Sequence, residues 1–564
     1  MAYIEQQPGK REWYLLLLLF LCGYLINLGV PELRTDEALL AGISSEMSVS
    51  DNPICTTVQG EQVDAFPLYP WIVSLCSGFR YPSELTTRLP GVLAVLGMAC
   101  LCFLGAARVG GPVSGAVAAS MVMTTVVCYR EGVRAGSDTL LAFLMTAAWL
   151  AWYRLGRDEK HWVAAWFVSL LFVLAGVFAA GFRALAFFYL PLFFLRRPLR
   201  GRRRMLFPAH FGALALVFLV LLLWRTAAPG QALLPWNVLV LHSVSGATTG
   251  YLRHLVTFPF ASAVYLLPWA FLLWPAFCMA HRPLEKNPVF CHYLRVIVFS
   301  LFLCGWALPG SSPRSLLPVL GPLSILTGLH YEILVRRHHA QLRRLFTTVL
   351  IATFAVSAAA LTLGFLHVAG IVVLEGFGVR ALLPNMMLLF LVLGVACWLH
   401  RRSSLRPFWL SFVAAVTLLR VGYLTTIVPF RAWYRNERKD KAELLGARVS
   451  PEAHIYKTAN RFLVTESFYL RRPISVVTDP ETQIPADTQR VYALGGAKPP
   501  ILTTRSWTPC SDLVDVRRRR ELRLEWFPGG PCLLRVDPTP PVDEADDSAA
   551  QIRMYRGELR FEGG

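Results

Sequence analysis

Apolar runs of about twenty residues, separated by short polar breaks, recur along most of the chain. They begin near Trp13, Leu89, Pro112, Thr139, Trp162, Ala184, Phe207, Ala261, Val296, Ser315, Leu345, Ala381 and Trp409. A helix of that length crosses the hydrocarbon core and satisfies its backbone N–H and C=O groups internally. The pattern therefore predicts an all-α polytopic membrane protein with about thirteen transmembrane helices. Ala184 to Leu195 is short for a span, and Ala369 to Leu374 reads as a partial, re-entrant piece. After Val428 the pattern changes. Pro, Gly and charge clusters alternate with strand-like runs such as Ile474-Ser475-Val476-Val477 and Arg490-Val491-Tyr492-Ala493-Leu494, which predicts a small α/β domain. The chain thus divides into a transmembrane region, 1–428, with a long first loop at 31–88, and a soluble C-terminal region, 429–564. Pro538 to Ala550, rich in Pro and Asp, reads as a flexible connection.

Composition agrees with the pattern. Of 564 residues, 55% are hydrophobic and only 16% charged, with a mean hydropathy of +0.48. Soluble chains carry roughly a quarter charged residues. The net charge of +19 is then explained by cytoplasmic breaks rather than by nucleic acid, which is excluded as a partner. The breaks at 196–204, 335–339 and 400–402 are strongly basic, and alternation of the spans puts them on the side of the N-terminus. Lys10 and Arg11 precede the first run, which is not followed by a small-residue cleavage site and reads as an uncleaved span. The expected topology is an inner-membrane protein with a cytoplasmic N-terminus and a periplasmic, extracytoplasmic tail. Twelve cysteines are scattered without a CxxC pair. Cys510 and Cys532 in the tail are candidates for a disulfide if the tail is extracytoplasmic, and Cys55 with Cys76 is a weaker pair.

Candidate chemistry gathers in the outside breaks. Asp36 and Glu37 follow the first span directly, where a base can meet both a lipid-borne donor and an acceptor. A carboxylate shielded from water has its pKa raised toward the range useful for general-base work. The same two acids also suit the first turn of a solvated helix. Asp138 closes the second outside break, Glu131 to Ser137, where a helix N-cap is the competing explanation. Arg253 and His254 precede Leu267-Pro268-Trp269, and Arg314 precedes Leu316-Leu317-Pro318. An Arg at such a site binds a phosphate through paired hydrogen bonds or anchors lipid head groups. The chain has no P-loop, GxGxxG or HExxH.

In order along the chain, these pieces resemble the GT-C superfamily of membrane glycosyltransferases. The resemblance is to the bacterial aminoarabinose transferases of lipid A and the protein O-mannosyltransferases. It rests on Asp36-Glu37, Ala41, Glu46-Met47, Gly60, Pro67-Leu68 with Trp71, and Arg88-Leu89-Pro90. Further along it rests on Arg134 with Asp138, His254, Arg314 with Leu316-Leu317-Pro318 and Pro322, and Ser467-Phe468-Tyr469-Leu470 with Arg472-Pro473. The resemblance implies inverting transfer of a sugar from a polyprenyl-phosphate donor to an extracytoplasmic acceptor: a lipid A-like glycolipid, another envelope glycan, or a protein hydroxyl. It implies Asp36 as the essential acid, with Asp138 positioning donor or acceptor and Glu37 beside them. Arg253 and Arg314 would stabilise the departing lipid phosphate, and a divalent metal ion would be held by His254 with Asp64. The chain departs from the aminoarabinose pattern at Leu39-Leu40, at Asp64-Ala65, where a phosphate-binding Lys is missing, and at Phe66. Two other classes stay open on sequence: a transporter of lipid-linked sugars and an inactive scaffold. The candidate acids lie in loops rather than at the bilayer midplane, which favours an enzyme.

Overall fold

A computed structural model of the chain describes residues 10–228 apart from 50–53, 59–60 and 64, and residues 248–369 apart from 309–310. Beyond these it describes 372–374, 408–448 and short segments between 387 and 394 and between 454 and 559. The first seven helices of the chain are α1 (Lys10–Leu25), α2 (Thr35–Val49), α3 (Leu68–Cys76), α4 (Glu84–Gly110), α5 (Pro112–Thr124), α6 (Val126–Glu131) and α7 (Ser137–Tyr153). Their ends follow from local chemistry. Ser83 caps α4 through a reciprocal capping box with Thr86. Gly111, at φ 96°, breaks the chain between α4 and α5, and Pro112 opens α5 where its missing N–H costs nothing. The extended backbone at Thr125 parts α5 from α6.

Six described helices are long and apolar enough to cross a membrane: Glu84–Gly110, Trp162–Ala180, Pro208–Ala227, Pro288–Ala307, Arg314–Leu366 and Trp409–Pro429. Leu16–Leu25, Pro112–Thr124 and Arg183–Phe194 are shorter apolar helices. The chain is a multi-pass membrane protein. Residues 381–386, where another run begins, lie outside the described residues. Two sequence expectations change. The run near Ala261 is not one straight span: Tyr251–Tyr265 and Trp269–Phe277 meet at 95°. Pro268, which has no N–H to continue the ladder, sits at that break, and the Leu267 carbonyl instead accepts from the N–H of Val126 at 2.9 Å. The second change concerns Ala369 to Leu374, expected as a re-entrant piece. Val372–Leu374 is a strand paired in parallel with Cys532–Leu534 of the tail.

Aromatic residues fill the bundle. Trp149, Trp152, Trp166 and Tyr293 are fully buried, and Trp152 stacks on Tyr293 with ring centroids 5.8 Å apart. In the tail, five strands pair in the order Ile474–Val476, His454–Lys457, Arg490–Gly495, Gln551–Leu559, Arg505–Asp515. The first two junctions are parallel and the last two antiparallel. Residues 539–550 lie outside the described residues, as do the side chains of Cys510 and Cys532. Cys55 and Cys76 are free thiols, not a disulfide.

The first loop and the tail share a second, smaller core. Leu33, Ala38, Ala41, Ile43 and Met47 pack with Ala442, Val464, Phe468, Tyr469 and Leu470. The Tyr469 hydroxyl accepts from the N–H of Leu33 at 2.7 Å, and Tyr81 donates to the Phe468 carbonyl at 2.5 Å. Lys439 pairs with Glu84. First loop and tail therefore lie at the same end of the bundle.

Candidate active site

The first two acids of α2 differ in where they point. Asp36 is exposed, whereas Glu37, one residue later on the helix, is buried. Each Glu37 oxygen takes two hydrogen bonds. Oε1 accepts from Arg88 Nε at 3.0 Å and the N–H of Ala135 at 2.9 Å; Oε2 accepts from Arg88 Nη2 at 2.9 Å and the N–H of Arg34 at 3.0 Å. Burial alone would raise the Glu37 carboxyl. The Arg88 hydrogen bond and charge, with the two backbone donors, overcome this and hold it below its ordinary range. Arg88 spends its remaining N–H groups on the carbonyls of Leu28, Pro31 and Glu32, each at 2.9 Å. All five guanidinium donors are thus engaged. The knot fixes the chain after the first apolar helix, the start of α2 and the break at 131–137 against α4.

A second cluster forms around that break. Asp138, in the first turn of α7, accepts from Arg183 Nη2 at 3.0 Å and lies 2.6 Å from Arg314 Nε. Glu131, buried at the end of α6, faces Arg130 at 3.3 Å, Arg134 at 3.4 Å and Arg314 at 3.4 Å. Asp36 also bears on the Arg314 guanidinium through charge. Residues 36, 131, 138 and 314, far apart in sequence, therefore meet at one end of the bundle.

Beside this cluster opens a cavity of about 670 Å³. Five arginines line it, Arg34, Arg88, Arg130, Arg134 and Arg420, against two glutamates, Glu32 and Glu37. Its apolar wall includes Ile26, Leu28, Val126, Val133, Leu424 and Val428, and Tyr24, Tyr129 and Tyr423 supply rings. Asp36, Asp138 and Arg314 are not among the lining residues; Glu131 links them to it, with Oε1 on Arg130 and Arg134 and Oε2 on Arg314.

Arg253 and His254 sit elsewhere. Arg253 is exposed on helix Thr248–Tyr265 and does not line the cavity. His254 Nε2 lies 3.5 Å from Ser311 Oγ, and its ring packs against Phe258 at 5.2 Å. Asp64 lies outside the described residues. Among the described residues no three His, Cys, Asp or Glu side chains converge as metal ligands. Sequence reasoning missed Arg34, Arg130, Arg183 and Arg420. For Arg420 a signal existed: it is the single charged residue in the apolar run 409–429, and an ionisable group inside a span points to function. Arg130 and Arg183 gave no comparable signal, because basic residues at span ends are ordinary.

Solved structures resemble this chain to different degrees. ArnT from Cupriavidus metallidurans bound to undecaprenyl phosphate superposes with a TM-score of 0.65 at 17% identity, covering 87% of this chain and 94% of that one. The apo state of the same protein gives 0.61 at 18% identity, covering 86% and 92%. Arabinosyltransferase EmbB from Mycobacterium smegmatis gives 0.42 at 13% identity, covering 100% and 64%. No protein-family model matches the chain, and no curated protein matches it. The likeness to ArnT, one of the aminoarabinose transferases the sequence resembles, shows that this chain shares that protein's fold.

Proposed function

We propose that this chain, carrying the GT-C fold, is a membrane glycosyltransferase. It moves a sugar from a polyprenyl-phosphate donor to an extracytoplasmic acceptor, a lipid A-like glycolipid or another envelope glycan. The observation that carries the reading is an open, arginine-lined cavity joined through Glu131 to the exposed acid Asp36 and the pair Asp138–Arg314. An anionic lipid head and an acceptor need those two kinds of group side by side. The ArnT structure of this fold holds undecaprenyl phosphate, which supports the same class of donor here.

In the reaction the acceptor oxygen attacks the anomeric carbon. The bond from that carbon to the phosphate oxygen breaks, and its electron pair leaves on the polyprenyl phosphate, so the configuration inverts. Asp36 takes the proton from the acceptor. Arg34, Arg130 and Arg134 face the phosphate as charge accumulates there. Arg314 keeps Asp138 and Glu131 in place, and Asp138 positions the sugar or the acceptor. Glu37, its oxygens committed to Arg88 and two backbone donors, holds the loop in position rather than moving a proton. Arg253, away from the cavity lining, is assigned no step, and no step runs through a metal. The shared core of first loop and tail supports placing 429–564 on the same face as Asp36, outside the cytoplasm.

The test is Asp36→Asn in membranes supplied with radiolabelled lipid-linked sugar. Label should reach no acceptor and free polyprenyl phosphate should not accumulate, while the variant elutes as folded protein. Transfer at the wild-type rate would overturn the assignment.

A further inference from the structure

The reading above needs a cation that receives the lipid phosphate, and the arginines of the cavity are not equivalent. Glu37 neutralises Arg88, and Glu131 is shared by Arg130 and Arg134. Arg420 has no such counter-charge: among the described residues no carboxylate pairs with it. It stands in the middle of the apolar segment Trp409–Pro429. One of its nitrogens, Nη2, donates to the Tyr129 carbonyl at 2.9 Å. The guanidinium carbon lies 5.1 Å from the Tyr129 ring centroid and 5.3 Å from that of Tyr423. Its Nε is buried and has no hydrogen-bond acceptor. A buried donor left unmet is costly, and a guanidinium inside a span is retained where it serves a pathway or a ligand.

The cavity follows one face of this helix. On helix Phe408–Arg435, Arg420, Tyr423, Leu424, Val428 and Ala432 recur at helical spacing and line the cavity, and Asn436, just past the helix end, lines it too. At the far end Asn436 donates to the Val30 carbonyl and accepts from the N–H of Glu32, each at 3.0 Å, so that end meets the first loop. At the Arg420 end, Val126 and Leu424 give an apolar margin, and Val126 is exposed. A ligand with a phosphate on Arg420 could extend a polar group along the cavity toward the loop and an apolar tail past Val126 into lipid.

We propose that Arg420 is the anchor for the phosphate of the polyprenyl-phosphate carrier, set on the spanning helix. Arg420 fixes the depth at which the phosphate sits, and its charged guanidinium, which lines the cavity without a carboxylate partner among the described residues, supplies the donors a phosphate accepts. The inference rests on the donor class proposed above. It does not require any particular base.

The full-length protein purified in detergent is titrated with decaprenyl phosphate, decaprenol and inorganic phosphate, with binding followed by native mass spectrometry. The wild type should bind decaprenyl phosphate and not decaprenol. Arg420→Gln should weaken that binding at least tenfold and Arg420→Lys less, with Arg202→Gln at the opposite, basic end unchanged. A second measurement needs no variant: decaprenyl phosphate should protect Arg420 of the wild type from phenylglyoxal, scored by peptide mass. Undiminished binding by Arg420→Gln, or modification of Arg420 at the same rate with lipid bound, overturns the anchor and leaves the proposed function standing. Protection by inorganic phosphate equal to that by the lipid overturns assignment to a lipid carrier. A wild type that does not bind decaprenyl phosphate removes the donor class as well.

Discussion

Two carboxylates adjacent in sequence, Asp36 and Glu37, differ because a helix turns successive side chains by about 100°. Glu37 meets Arg88 and Asp36 meets solvent. Removing one partner of a buried pair strands the other charge, so Arg88→Ala should cost about 3–5 kcal/mol, read as a large drop in apparent melting temperature in detergent. The pH dependence has a definite sign. The folded Glu37 carboxyl is held below its unfolded value, so its stabilisation is complete above the ordinary carboxylate pKa and is lost as pH falls through the depressed one. Glu37→Gln should flatten that acid loss, measured as melting temperature across an acid titration; an unchanged profile would mean the pair does not govern it. Arg314→Gln releases Asp138 and Glu131 from their shared cation. A misplaced acid near the reacting atoms costs about 100-fold in rate. Transfer should therefore fall by that order with the melting temperature little changed, because Arg314 is more exposed than Arg88.

Among the elements, α4 carries the positioning of the break at 131–137. A Cβ on Gly91 would come within 2.9 Å of the Arg134 carbonyl and 3.2 Å of the Gly132 carbonyl. Backbone cannot yield as a flexible side chain does, and overpacking of this kind costs about 1–3 kcal/mol. Gly91→Val should therefore lower both stability and transfer, because the break carries Glu131, Arg134 and the N–H that binds Glu37. Gly105→Ala, whose Cβ meets only flexible Ile325 and Leu150 methyls at 3.2 and 3.4 Å, is the comparison and should be milder in a melting assay. The bend between Tyr251–Tyr265 and Trp269–Phe277 belongs to the same scale. Apolar periodicity announced a span there, yet Pro268 shows how one residue without an N–H redirects it.

Across the whole molecule, the first loop and the tail form one cap with its own apolar core. The basic breaks at 196–204 and 335–339 define the other end by charge. Single cysteines at exposed Ser83 and exposed Arg202 should label oppositely with a membrane-impermeant maleimide in intact spheroplasts. Ser83→Cys should react and Arg202→Cys should not, each judged against the unsubstituted chain. Equal labelling would dismiss the topology. The membrane class and the apolar helices were legible in the sequence because lipid permits few backbone solutions, and the expectation that the candidate acids lie outside comes from charge bias, which is written locally. Asp36, Asp138 and Arg314 were legible as candidates because each stands at the mouth of a span.

What the sequence by itself determined was the solvent each segment faces, a property of composition summed over about twenty residues. It could not determine which charges meet. Glu131 reaching Arg314, Glu37 closing on Arg88, and Arg420 turned to a cavity rather than to lipid all depend on contacts between residues distant in the chain. Such contacts are set by helix packing, where small side chains and close backbones decide the approach. Only the tertiary structure carries that information, since pairing energies between distant groups leave no periodic trace along the chain.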